Sequence, residues 1–330
     1  VAIDGDTIRL NPGVYYGLIN FEGKEIVLES RAFELEDMSL ISETVFLPGP
    51  LGGSCLHLQG SQNNNGTLRG LTFRGGTDLN GGGIKIENCS PSLINLTLEN
   101  NNAENGGGLY LYESDAILKN VILKNNTANY GGGVFVINSE PYIENIILEN
   151  NISYWGGGAF FENSNVILYQ GKVLTNQAFI EGAGIYIQGG SFNLDGISFE
   201  HNNGYDFGGS IVAHEALINV NQATFVGNTS GIGSAFSLYG SLLYIHNSII
   251  WGNNEPLFYI PETGGLTTIG IEYSNIQGGD NVLNEYSNII IDELISVTES
   301  NPMFCDLENK LFNLRMDSPC RFMSENNGII

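Results

Sequence analysis

Basic residues are scarce in this chain. Its 330 residues hold 12 Lys and Arg against 36 Asp and Glu, a formal net charge of −24. Nucleic acids and anionic membrane surfaces are bound through basic patches, so neither is an expected partner. Long apolar runs are missing too. Nothing approaches the roughly 18 residues of a spanning helix, so no membrane span is expected. Cysteine is sparse, with four residues. Cys55 and Cys89 read as separate thiols, whereas Cys305 and Cys320 lie close together and can pair; a bridge there would imply an oxidising compartment. No ten-residue window joins helical spacing to helix-forming composition, which argues against a helical fold. The metal motifs CxxC and HExxH and the glycine-aspartate nonapeptide are absent, and no cofactor is expected.

Glycine and asparagine are present instead, in register. Glycine-led clusters begin at Gly81, Gly106, Gly131, Gly156, Gly182, Gly208 and Gly233. An apolar residue, two further residues and an asparagine follow each, ending at Asn101, Asn126, Asn151, Asn176, Asn202, Asn228 and Asn253. Both series step by 25, 25, 25, 26, 26 and 25 residues. A fixed period of this size means a solenoid, whose units bury apolar surface only by stacking on their neighbours.

Within a unit, apolar residues recur every second position, as in Leu109 and Leu111 or Ile185 and Ile187, which favours strands. Gly, Asn, Ser and Asp fill the gaps and form turns. The fold expected is all-β: a single-chain parallel β-helix of about eleven coils, each about 25 residues. One domain spans 1–330, with irregular coils over 1–80, a regular array over 81–253, and a coil, loop and cap over 254–330. Within the last part, 280–300 reads as a surface excursion. Residues 61–66 read as an insertion. Asn101 to Asn253 should form a ladder of inward amides, with asparagine also easing the left-handed backbone at a corner. A second polar column, Asn95, Asn120, Asn145, Gln170, Gly196, Gln222 and Asn247, should mark another corner.

The opening Asp4 to Tyr16 and then Ile26 to Ser30 resemble the first coil of secreted bacterial right-handed β-helix proteins of the pectin-lyase-like superfamily. The paired glycine clusters, with Phe199 to Asn202 and Phe225 to Asn228, are similar to the GGA and FxxN repeats of polymorphic outer-membrane proteins. The resemblance implies a right-handed coil and an extracellular or cell-surface location. It leaves activity open, because that superfamily mixes lyases, hydrolases and adhesins.

Strand alternation assigns faces. Ile84 and Ile86, Leu109 and Leu111, and their equivalents point inward. The residues between them, Tyr110, Phe135, Phe160 and Tyr186, form an outward, solvent-facing row of rings, open unless a loop, a neighbouring subunit or an adjacent domain covers it. Tyr112, Glu162, Gln188 and His214 lie one step on, and Trp155 and Glu181 lie at the preceding turn. This face is the candidate ligand site: structural packing or contact with a protein surface is the first reading of its rings, and the second has them stacking on sugars with Glu162, Gln188 and His214 contacting hydroxyls. For catalysis, Glu162, Glu181 and His214 are the only candidate constellation. It is thin for hydrolysis, which needs paired carboxylates, and calcium is the cofactor that lyase chemistry would add. The leading expectation is a non-catalytic extracellular adhesion or scaffold module contacting a glycan or protein surface. A polysaccharide lyase or glycoside hydrolase is the rival. Self-association into a filament or sheath is the third reading.

Overall fold

The computed structural model describes residues 2–17, 21, 23–60, 66–306 and 311–322. Residues 61–65 of the expected insertion lie outside them. The coil 106–130 shows how a repeat is built. Leu109–Tyr112 forms a strand on a first face, Ile117–Lys119 on a second and Ile122–Lys124 on a third. Each pairs in parallel with its equivalent 25 residues on: Leu109 with Val134, Leu118 with Ile143, and Leu123 with Leu148. One sequence period is therefore one turn of the solenoid, and the fold is a parallel β-helix.

Pairing on the second face begins at Thr7–Leu10 and ends at Ile289–Ile295, twelve rungs in all. The third face has eleven rungs, from Gly13–Tyr16 to Asn275–Ile276. The first has nine, from Leu56–Gln59 to Phe258–Tyr259. The rod thus has about ten turns, close to the eleven expected, with incomplete coils at its ends. Residues 280–300 are not a mere surface excursion. Ile289–Ile295 lies in register against Thr267–Glu272 and adds a further rung. Beyond it, Phe304–Asp306 and Leu311–Leu314 leave the parallel pattern and pair antiparallel.

The expected inward residues meet in one continuous core. Ile84, Ile86, Leu109, Leu111, Val136 and Ile187 have no accessible surface. Every coil contributes to this file, so no coil has a core of its own. The glycines at the corner exist for two reasons. Gly131 has φ +64°, and a side chain there would meet the Val134 carbonyl oxygen at 2.1 Å. A side chain on Gly132 would meet the Gly157 carbonyl oxygen of the next coil at 2.5 Å. The first reason is backbone conformation; the second is the closeness of stacked coils.

The asparagine ladder forms as expected. Asn126 Oδ1 accepts bonds from Asn101 N–H at 3.0 Å and Asn101 Nδ2 at 3.1 Å. Asn126 Nδ2 donates to Leu98 O at 2.9 Å and to Asn151 Oδ1 at 3.1 Å. Each amide is saturated, and Asn126, Asn151, Asn176, Asn202 and Asn228 are all completely buried. The left-handed residue, however, is the one before the ladder: Asn100, Asn125, Asn150, Thr175 and His201 have φ between 52° and 56°. Two neighbouring asparagines divide the tasks expected of one. The second polar column does mark a corner, with φ from 50° to 69° at Asn95, Asn120, Asn145, Gln170, Gly196, Gln222 and Asn247.

The cysteine pairing is corrected. All four thiols are free, with Cys305 exposed and Cys320 fully buried. Cys320 packs with Val226, Ile249 and Phe304. Cys305 follows Phe304 on one strand and so faces the opposite way. Burial pushes the Cys55 and Cys89 thiols up, to about 12 and about 11.

Candidate functional site

Three parallel columns of side chains run along the first face and the corner before it. The central column passes from Lys85 through Tyr110, Phe135, Phe160 and Tyr186 to Val212. One bank carries Asn105, Tyr130, Trp155, Glu181 and Phe207. The other carries Tyr112, Ile137, Glu162, Gln188 and His214. All of these adjacencies match the sequence reading.

The exposure of the central rings does not. Tyr110, Phe135, Phe160 and Tyr186 are only 9%, 6%, 5% and 7% exposed. In-register strands lay the rings face to face. Successive centroids are 5.6, 5.0 and 4.6 Å apart, with interplanar angles of 12°, 11° and 18°. Tyr130 and Trp155 stack likewise at 4.9 Å, and Tyr130 meets Phe160 edge-on. The rings form a cluster of their own, separate from the coil interior, flanked by Tyr112, Tyr130, Ile137 and Trp155. Their π-faces are occupied by one another, so a sugar cannot stack on them. A cleft of about 410 Å³ remains above them, edged by Asn105, Ile137, Glu162 and Gln188.

Further along the same face, beyond the cleft, the banks become polar. Glu181 accepts a hydrogen bond from the Tyr239 hydroxyl at 3.3 Å and lies 3.7 Å from His214 Nε2. His214 stacks on Tyr239 at 4.0 Å. Burial, then the charges of Glu181 and Glu162, hold the Tyr186 phenol well above its ordinary value. Burial and Glu181 do the same to Tyr239. Of the three candidate catalytic residues, Glu181 and His214 are brought together. Glu162 stands on the opposite bank, across the central column. Tyr239 was not anticipated, although it occupies the rung after His214.

A second surface was also missed. Between the asparagine ladder and the glycine cluster each coil makes a short strand, such as Asn102–Asn105 or Ile152–Trp155. Its middle row is small and buried: Ala103, Ala128, Ser153 and Ala178. Glu104, Asn129, Tyr154, Phe179 and Tyr205 rise beside it, all exposed. A groove of about 440 Å³ runs here, lined by Asn102, Thr127, Ile152, Tyr154 and Phe179 among others. The signal lay three residues after each ladder asparagine, where Tyr154, Phe179 and Tyr205 follow Asn151, Asn176 and Asn202.

Among the described residues, no group of three His, Cys, Asp or Glu is placed to hold a metal ion. No helix among them is long and apolar enough to cross a membrane. Residues 82–241 match the family model described as the right handed beta helix region. The solenoid is a right-handed β-helix. A similar solved structure is the A-module of the Azotobacter vinelandii mannuronan C-5 epimerase AlgE6. It is 14% identical over 89% of this chain and 88% of that one, with a TM-score of 0.31. A likeness at that level carries no argument about activity. No curated protein matches the chain.

Proposed function

We propose that this right-handed β-helix is a non-catalytic binding or scaffold module that works outside the cell, holding a glycan or a protein surface along its flank. The observation that carries the reading is how the first face is used. Its rings consume each other's faces, and Glu181 already accepts a hydrogen bond from Tyr239. Glu87 is likewise held by His57 and Lys85, both at 2.9 Å. A general acid or base must instead reach a substrate proton. The strongly negative charge suits a soluble rod that avoids nucleic acid and anionic surfaces.

A carbohydrate-active enzyme is the second reading, favoured by one cluster on the same face: Glu181, His214 and Tyr239. A glycan array run beside a reducing-sugar and unsaturated-product assay separates the two. Binding without product is the expected result. Product formation that disappears in Glu181→Gln, with the fold retained, overturns it.

A further inference from the structure

The corner groove joins open ring faces, which the first face lacks, to an unpartnered buried hydroxyl. Tyr154 and Phe179 have centroids 5.6 Å apart but planes tilted by 51°, so neither covers the other's face. They are 47% and 50% exposed, and Tyr205 on the next rung is 75% exposed. Ser153 lies between the groove walls and is 1% exposed. Its Oγ has no hydrogen-bond partner among the described residues. A buried hydroxyl left unpaired is destabilising, and a bound ligand can relieve it.

We infer that this groove is a binding site for an uncharged linear glycan lying parallel to the rod axis. The inference rests on the binding-module reading and gives it a place and a ligand class. Three features choose the ligand. First, an added peptide strand is excluded, because the corner backbone is already paired from coil to coil. Ile152 N–H donates to Asn126 O at 2.9 Å, and Ala128 N–H donates to Ile152 O at 3.0 Å. Recognition must therefore come through side chains. Second, the wall facing the rings offers neutral hydrogen-bonding groups from Asn102 and Thr127, and Asn129 adds another amide. The only charged lining residues are Asp78 and Glu104, both acidic, which disfavours an anionic polymer. Third, the row advances by about 4.8 Å per coil and carries a ring on three successive coils, at Tyr154, Phe179 and Tyr205. A ligand that repeats along its length can use successive rungs, with ring faces against Tyr154 and Phe179 and a hydroxyl reaching Ser153 Oγ.

Calorimetric titration of the full chain with hexasaccharides tests this. Cellohexaose, xylohexaose and maltohexaose are the uncharged probes; a chitosan hexamer and hexagalacturonate are the charged controls. At least one uncharged probe should bind, with little dependence on salt. Tyr154→Ala and Phe179→Ala should each weaken that binding on the order of tenfold. Ser153→Ala should weaken it several-fold while leaving the melting temperature equal or higher, because the substitution removes an orphan hydroxyl. That pairing of effects is not expected from a merely structural serine. Undiminished binding in all three variants overturns the groove but spares the binding-module reading, since another surface then holds the glycan. Binding only to the chitosan or galacturonate probe overturns the ligand class. If the wild type takes up no probe, the glycan inference fails, while a protein-binding role is untouched.

Discussion

Two sets of aromatic residues lie one strand apart and behave oppositely. Tyr110, Phe135, Phe160 and Tyr186 point away from the coil interior, yet they are buried. Tyr154, Phe179 and Tyr205 stand on a corner and are exposed. The difference is regularity. The first set sits on strands in strict register, so equal side chains repeat at equal height and stack. The second sits beside a register shift between Ser153 and Trp155, and its rings tilt instead of stacking. In a solenoid, outward is therefore not the same as accessible. An outward row closes on itself when its neighbours above and below are alike.

That contrast can be broken by substitution. The largest effect is expected in the closed column: Phe160→Ala removes a ring packed on both faces and should cost about 3–5 kcal/mol, read by denaturant unfolding. Asn151→Ala comes next. It removes the acceptor of Asn126 N–H, one of the two acceptors of Asn126 Nδ2 and the amide donor to the Leu123 carbonyl, and a buried group left unpaired costs about 1–3 kcal/mol before relaxation. Alkaline titration gives a smaller and graded effect. The Tyr110, Tyr186 and Tyr239 phenols are held above their ordinary value, chiefly by burial. The unfolded chain releases these protons near pH 10 while the folded chain retains them. Stability should be undiminished below pH 10 and fall as the pH rises beyond it, visible as a declining melting temperature. The smallest effect belongs to the open corner, where Tyr205→Ser should change stability by less than about 0.5 kcal/mol. A loss above 2 kcal/mol there would show that the corner rings are structural and end the contrast.

Most of the fold was legible because two markers kept one period. The glycine and asparagine series each fix the register alone, and together they placed Tyr110 beside Phe135 and Glu162 beside Gln188 correctly. What could not be read was anything decided by side-chain conformation between coils. Sequence gives the direction of Phe160 from its strand, but not that Phe135 and Tyr186 would cover both its faces. The left-handed residue proved to be Asn125 and not Asn126, because two adjacent asparagines look alike in a sequence and only one can turn inward. The pairing of Cys305 with Cys320 was inferred from nearness in the chain, which says nothing of which side of a strand a thiol takes. Tyr154 and Phe179 were overlooked because Asn, Ser and Gly around them suggest turns, hiding a short strand. At the candidate catalytic cluster, the period alone points to Glu181 and His214, whereas Tyr239 lies one rung further along and joins them only through its side-chain conformation.

The amide ladder has a consequence for length. Each rung asks the next for a single acceptor in a fixed place, and every rung from Asn101 to Asn228 receives it from an identical residue. Excising one whole turn, such as residues 132–156, would bring together groups that already know the same surroundings elsewhere in the rod. Removing a fraction of a turn would strand the amide at the joint, although the rungs on either side would still pair among themselves. The molecule is thus built to vary in integer steps, and its reach can change without redesign of any joint.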